Sequence, residues 1–182
     1  MGTYINIGNA GFQSARNGEY VDKSGLIAAV NKTLFTEFRL SCVTRCRRFG
    51  KSMAAKMLNA YYDQSCDSRS LFADLKAASD PSFEKHLNKY SVIFLDMSDF
   101  VTRYHDESIV ASMDKALRED IHSAFPNVPT KDDDDLMQFL IRIAEDGEHK
   151  FIFIIDEWDA ICREFKTGTK AMDEYVKWLR RM

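Results

Sequence analysis

The segment RCRRFGKS, residues 45–52, carries residue types that can bind phosphate groups. In its last three residues, Gly50 lets the backbone approach a phosphate, Lys51 reaches the phosphate oxygens and the Ser52 hydroxyl binds Mg²⁺. The full pattern, G-x-x-x-x-G-K-S, begins with glycine, whereas this chain has Arg45 at that position. Because three matching residues often occur by chance, the segment predicts a phosphate loop only if it joins a strand to a helix.

The flanking sequence meets that condition. FRLSCVT, residues 38–44, is a short apolar and β-branched run that is typical of a buried strand. After the loop, residues 52–64 have Met53, Met57 and Tyr61 on one helical face. The predicted order is therefore strand, loop, helix, which places backbone N–H groups and the positive end of the helix dipole at the anion.

A pair of carboxylates follows another strand farther along the chain. KFIFIIDEWDA, residues 150–160, is a hydrophobic run with Asp156 and Glu157 at its end. The aspartate can hold Mg²⁺, and the glutamate can polarise a water molecule for in-line attack on a γ-phosphate. Nucleotide binding needs only the aspartate, so the presence of the glutamate indicates hydrolysis as well as binding. The alternative is a strand that ends in a solvated acidic turn.

Strands and helices alternate along the chain, which predicts an α/β fold with a parallel sheet and flanking helices. A further strand is predicted at SVIFLDMS, residues 91–98. The glycine-containing start, residues 1–18, predicts loops or short extended pieces. The acidic run KDDDD, residues 131–135, predicts the start of a helix, because carboxylates favour the positive helix end.

Composition is that of a soluble globular protein, with 182 residues, 45% hydrophobic and 29% charged. No apolar run approaches the roughly 20 residues that cross a bilayer, and no signal peptide is recognisable, so the prediction is a cytoplasmic protein without a membrane partner. The four cysteines have no metal-ligand spacing and predict free thiols. From Arg39 to Tyr62 six cations occur without any Asp or Glu, which predicts an anion near this segment.

Three motifs together resemble the AAA-ATPase-like family of bacterial P-loop ATPases, whose members characteristically have YVDKT, RPRRFGKS/T and IDEYD. Here they are YVDKS (20–24), RCRRFGKS (45–52) and IDEWD (155–159). Arginine in place of the first loop glycine is a trait of that family. This chain differs from the family at Cys46, where proline is usual, and at Trp158, where tyrosine is usual. Neither change alters a phosphate or metal residue.

The resemblance implies a P-loop NTPase fold of the ASCE/AAA type that uses ATP and Mg²⁺. The implied catalytic residues are Lys51 and Glu157, and the implied metal ligands are Ser52 and Asp156. The implied nucleotide-binding residues are those of the loop: Arg45, Arg47, Arg48, Phe49, Gly50, Lys51 and Ser52.

The family also has longer chains, often with a C-terminal domain that resembles PD-(D/E)XK nucleases. We therefore expect one domain over residues 1–182, with an N-terminal lead-in and helix at 1–38 and a partial NTPase core at 39–182. Its sheet would be incomplete at the C-terminus. Nucleic acid would be reached through the further domain, and a homo-oligomer could supply an arginine finger.

Three residues outside these roles have simpler predictions. Asp22 and Lys23 are expected to start a helix through charge and capping. The resemblance leaves open a second role for them, since it places them ahead of the loop, near where a nucleotide base could rest. Trp158 is expected to be a packing residue.

Two other functions remain open at this point. The chain could be a non-enzymatic nucleic-acid or protein-binding module in which residues 39–56 contact phosphate and the P-loop is degenerate. It could also be a switch that binds ATP with negligible hydrolysis.

Overall fold

The computed structural model describes residues 2–46, 48–104, 108–129, 135–145, 147–166 and 168–182. The chain divides into two compact units. We call Asn6–Val92 the loop unit, because it contains the predicted phosphate loop. We call Met1–Ile5 with Ile93–Met182 the sheet unit, because it contains most of the paired strand residues.

Helices dominate the loop unit and pack around a core of aromatic side chains. The helices are α1 (Ala10–Arg16), α2 (Gly25–Asn31), α3 (Lys51–Tyr62), α4 (Arg69–Phe72), a 3-10 helix (Lys76–Ser79) and α5 (Phe83–His86). Phe12 of α1 stacks on Phe72 with ring centroids 5.0 Å apart, and Tyr61 of α3 meets Phe72 edge-on at 5.7 Å. All three rings are fully buried, so α3 is held by the largest apolar side chains of the unit.

A buried polar network fixes α3 to its neighbours. The Tyr62 hydroxyl donates to the Asn31 Oδ1 at 2.7 Å, and the Asn31 amide donates to the Tyr61 hydroxyl at 3.1 Å. The Tyr61 hydroxyl in turn donates to the Phe83 carbonyl at 2.7 Å. Burial raises the pKa of Tyr61 to about 12, so its hydroxyl remains a donor at neutral pH. The helix that begins at the phosphate loop therefore has a rigid base.

The sheet unit continues the chain from β1 (Ser91–Asp96), whose first two residues belong to the loop unit. Its helices are α6 (Met97–Arg103), α7 (Ile109–Ala124), α8 (Leu136–Ala144), α9 (Ala160–Glu164) and α10 (Lys170–Leu179). β2 (Phe151–Asp156) pairs with β1 in a parallel two-stranded sheet. Ile5 adds an antiparallel bridge to Ile93. Buried apolar side chains from β1 and from α6 to α10 form one core, and partly buried side chains of β2 pack against it.

The predicted mixed α/β class is confirmed at this level, and so are two of the predicted strands, at 91–96 and 151–156. Asp135 caps α8 through a capping box with Gln138, as predicted for the acidic helix start. Residues 131–134 of that run lie outside the described residues. Within the described part of the chain, no helix has the length and apolar character needed to span a membrane.

Three predictions are wrong. Residues 38–44 form no strand, and Leu40 is 79% exposed, because the segment has strand-like residues but no neighbouring strand to pair with. The opening stretch contains α1 rather than only loops, because Phe12 buries itself in the aromatic core. Trp158 is 46% exposed instead of packed in the interior, and its carbonyl accepts a hydrogen bond from the buried Tyr175 hydroxyl.

Asp120 of α7 fastens the N-terminal segment within the sheet unit. Its carboxylate accepts hydrogen bonds from the backbone N–H groups of Thr3, Tyr4 and Ile5 at 2.7–2.9 Å. We expect Asp120→Ala to lower the free energy of unfolding by about 2–3 kcal/mol, since charge-assisted bonds are lost and donors are left unpaired. Urea unfolding measures this, with Glu119→Ala on the exposed side of α7 as control. Equal midpoints for the two variants would contradict the assignment.

Candidate functional site

The loop before α3 has alternating backbone handedness. Arg48 has φ +67° and Gly50 has φ +74°, whereas φ of Phe49 between them is negative. Such alternation turns successive N–H groups toward one side, and the resulting concavity is a common anion-binding arrangement. Arg48 adopts this conformation without being glycine, which is uncommon and costs backbone strain. Strained backbone of this kind occurs preferentially at functional sites.

Gly50 occupies a position that other residues would fill badly. Its left-handed conformation favours glycine, and an added Cβ would lie 2.6 Å from the Lys23 Nζ. The first backbone bond of α3 runs from the Ala54 N–H to the Gly50 carbonyl at 3.0 Å. The N–H groups of residues 51–53 precede this bond, and within the described part of the chain none of them has a backbone acceptor, so they can donate to an external anion.

Lys51 spans the loop. Its ammonium group donates to the Arg45 carbonyl at 3.2 Å, so the side chain returns from the first residue of α3 to the position where the standard motif has its first glycine. Among the described residues, neither Lys51 nor the exposed Arg45 and Arg48 forms an ion pair with a carboxylate. The first turn of α3 carries no acidic residue. The described part of the loop is thus a concentration of positive charge with only neutral partners.

The segment YVDKS, residues 20–24, lies against this loop in the same unit. Asp22 accepts from the Ser24 N–H at 2.8 Å and from the Lys76 N–H at 3.0 Å. The buried Ser24 hydroxyl accepts from the Ala77 N–H at 3.0 Å. Burial acts to raise the pKa of Asp22, but the hydrogen bonds from Ser24 and Lys76 outweigh it and hold the pKa below its ordinary value. The predicted capping role of Asp22 is therefore directed at the 3-10 helix.

Lys23 was expected to serve a helix start, but its side chain does something else. Its ammonium group donates to the carbonyl of Phe49, inside the phosphate loop. The sequence signal for this contact was weak, since a lysine some 20 residues before a loop, in a segment without periodicity, gives no indication of which residue it meets.

The acidic pair stands at the end of β2 in the sheet unit. Asp156 is its last residue and is buried, and its Oδ1 accepts from the Glu157 N–H at 3.0 Å. Glu157 has φ +50°, so it shares with Arg48 a left-handed backbone conformation that is uncommon outside glycine. Buried carboxylates need partners, and the backbone N–H supplies one to Asp156. Asp96, at the end of β1, instead caps α6 by accepting from the Ser98 N–H at 3.0 Å.

Arg163 of α9 completes the surroundings of the acidic pair. Its guanidinium bonds the Glu157 Oε2 at 2.8 Å and Asp159 at 2.7 Å. These bonds, to Glu157 first and Asp159 second, raise the pKa of Arg163. The i, i+4 spacing of Asp159 and Arg163 could have indicated their pairing, but the contact to Glu157 depends on the turn between strand and helix.

A family model described as a predicted AAA-ATPase matches residues 6–182. This chain belongs to the AAA-ATPase-like family. The suspected family is thereby confirmed, and membership supports nucleotide binding at a coarse level. No curated protein and no solved structure matches the chain.

In this AAA-ATPase-like chain the structure brings together the predicted loop residues 45, 46 and 48–52, while Arg47 lies outside the described residues. It also brings together Asp156 and Glu157. The loop belongs to one unit and the acidic pair to the other, so their action on a single nucleotide stays a prediction.

The residues present fit the groups that the AAA-ATPase-like family implies. For a nucleotide phosphate, the loop offers a positive-φ glycine, open N–H groups at α3 and Lys51. For Mg²⁺, the Ser52 hydroxyl of the loop unit and the Asp156 carboxylate of the sheet unit are each of the hard oxygen type that this ion prefers, and their use by one ion stays a prediction. Among the described residues, no group of three or more His, Cys, Asp or Glu side chains is placed to hold a metal ion.

Proposed function

We propose that this chain binds ATP through residues 45–52 and, with Mg²⁺, hydrolyses it to ADP and phosphate. The observation that best supports the proposal is the Lys51 ammonium group, which crosses a loop of alternating handedness to reach the Arg45 carbonyl. We also propose that ATP hydrolysis is coupled to an effector. We assign both motifs to one nucleotide because the loop precedes the acidic pair along the sequence.

ATP binding gives Lys51 a stronger hydrogen-bond partner than the one it has now. The carbonyl that Lys51 now contacts is neutral, whereas phosphate oxygens are anionic, and charge-assisted hydrogen bonds are roughly twice as strong as neutral ones. Backbone N–H groups at the start of α3 add donors that need no rearrangement, because α3 is fixed by its buried network. The β- and γ-phosphates of ATP match this set of donors.

Hydrolysis needs a positioned water molecule and a way to hold charge. We assign Ser52 and Asp156 as protein ligands of Mg²⁺, which would neutralise charge that develops on the phosphate oxygens. Glu157 accepts a hydrogen bond from the attacking water through Oε1, because Arg163 bonds Oε2. The attacking oxygen bonds to the γ-phosphorus as the bond from that phosphorus to the bridging oxygen breaks, so that ADP leaves with the bridging oxygen and the water proton passes to the Glu157 carboxylate.

A second candidate function has one observation in its favour. Residues 39–46 are exposed, and Arg39 and Arg45 in this segment form no ion pair among the described residues. An exposed basic segment can bind nucleic-acid phosphates without any nucleotide chemistry. In that case the Gly50-Lys51-Ser52 sequence would be incidental.

Calorimetric titration of the whole chain distinguishes the two candidates. We expect ATP with Mg²⁺ to bind with micromolar affinity, ADP comparably and AMP at least about tenfold more weakly, since AMP lacks the β-phosphate. No heat from any nucleotide, together with salt-dependent binding of a single-stranded oligonucleotide, would support the second candidate instead.

A further inference from the structure

Lys23 is the side chain that reaches into the phosphate loop from outside it. Its ammonium group donates to the Phe49 carbonyl and fills the space beside Gly50, where an added Cβ would lie 2.6 Å from the nitrogen. Both contacts are inside the loop unit. Among the described residues Lys23 forms no ion pair, so its charge is not neutralised by a carboxylate.

The backbone that carries Lys23 is fixed on both sides. Asp22 and Ser24 are bonded to the N–H groups of Lys76 and Ala77 at 3.0 Å each. Ser24 is fully buried. Because the residues on either side are anchored in this way, the ammonium group is presented from a rigid support.

Tyr20 links the same support to α3. The Lys23 N–H donates to the Tyr20 hydroxyl at 3.4 Å, and that hydroxyl donates to the Met57 sulfur at 3.3 Å. Residues 20–24 are therefore held against the helix that begins at Lys51. The position of Lys23 relative to the loop follows from this link.

A bond to one carbonyl orients a whole peptide unit. The peptide between Phe49 and Gly50 is planar and trans, so its C=O and N–H point in opposite directions. When Lys23 holds the Phe49 carbonyl on one side, the Gly50 N–H is turned to the other. Since Arg48 and Gly50 both have positive φ, this part of the loop needs restraint from its surroundings to keep its conformation.

We infer that Lys23 is a positioning residue of the phosphate loop, which orients the Phe49–Gly50 peptide for phosphate and adds positive charge beside it. This inference rests on the proposed function. It assigns a role to the YVDKS segment that phosphate binding by residues 45–52 leaves unexplained. Lys23 acts through the loop backbone, whereas Lys51 contacts the phosphate itself.

The test compares ATP affinity, with Mg²⁺, across substitutions of Lys23 in the whole chain. We expect Lys23→Met to raise the Kd for ATP about tenfold without a matching fall in thermal midpoint, because the carbonyl loses its cationic donor. Lys23→Arg keeps charge and donors and should restore affinity to within about threefold of wild type. Lys32→Met removes an exposed lysine after α2 and should bind as wild type.

Recovery of ATP affinity in Lys23→Arg is the result that a lysine with a purely structural role would not give. Wild-type affinity in Lys23→Met, or equal weakness of the Met and Arg variants, would overturn the inference. If Lys23→Met fails to fold, Lys23→Gln replaces it, since its uncharged amide is one bond shorter. Weaker ATP binding by Gln than by Arg then supports the inference, and wild-type affinity for Gln overturns it.

The same measurements separate this inference from the proposed function. An absence of ATP binding by the wild-type chain overturns both. Normal ATP binding that is lost in Lys51→Ala but unchanged in the Lys23 variants overturns the role of Lys23 alone.

Discussion

Lys51→Ala is expected to weaken ATP binding by about 100-fold or more, which corresponds to about 2.7 kcal/mol or more of binding free energy. The ammonium group crosses the loop and has no carboxylate partner among the described residues, so its removal takes away a positive charge that is free to bind phosphate. Titration calorimetry or displacement of a fluorescent ATP analogue measures the effect.

Two controls give this result its meaning. Lys56→Ala removes an exposed lysine from the same helix, and Arg39→Ala removes a cation from the exposed basic segment. Neither should change ATP affinity more than about twofold, since surface charges at a distance are screened by salt. Alanine is a strong helix former, so α3 should retain its stability in the Lys51 variant. Equal losses of ATP affinity for Lys51→Ala and Arg39→Ala would indicate diffuse electrostatic binding and count against a phosphate loop.

Local sequence predicted those elements whose pattern and packing agree. The continuous apolar run of β2 and the helical spacing of Met57 and Tyr61 in α3 both led to the observed elements. Gly50 was assigned to close backbone approach from one motif, and it is found with φ +74°, a conformation that favours glycine. In these cases the short-range preference and the tertiary contacts favour the same structure.

Prediction from the sequence failed where tertiary contacts determine the local structure. Residues 38–44 have strand propensity, yet a strand exists only if another strand pairs with it, and composition does not supply that neighbour. α1 contains Gly11 and few apolar residues, but Phe12 in the aromatic core stabilises it. The contacts of Lys23 with Phe49 and of Arg163 with Glu157 join segments through turns, so no periodicity announces them.

The role of Arg163 bears on how the acidic pair can work. A carboxylate that forms an ion pair through one oxygen keeps its other oxygen as an acceptor, and its side chain has less freedom to leave the site. Glu157 also has φ +50°, a strained conformation that persists only because the surrounding structure imposes it. Fixed orientation of this kind is what a water-positioning group requires, whereas a solvated acidic turn would have no need of it.

Glu157→Gln is expected to lower the ATP turnover rate by a factor of about 100 to 10,000, while ATP affinity changes less than about threefold. The amide has nearly the same shape as the carboxylate and can still bond Arg163 through its oxygen, so the turn after β2 should persist. It lacks the negative charge that polarises water, so the loss should fall on the chemical step alone. Phosphate release under saturating ATP and Mg²⁺ gives the rate, and calorimetry gives the affinity.

Glu164→Gln is the matched control, because it makes the same chemical change at an exposed position of α9, next to Arg163. Its turnover should equal that of the wild type, since an exposed carboxylate without a hydrogen bond to the reacting water has no way to affect it. Equal rates in the Glu157 and Glu164 variants would remove Glu157 from the chemistry. If the wild-type chain binds ATP tightly but hydrolyses it no faster than Glu157→Gln does, the chain is a nucleotide-dependent switch. The fixed carboxylate would then stabilise the ATP-bound state without hydrolysis.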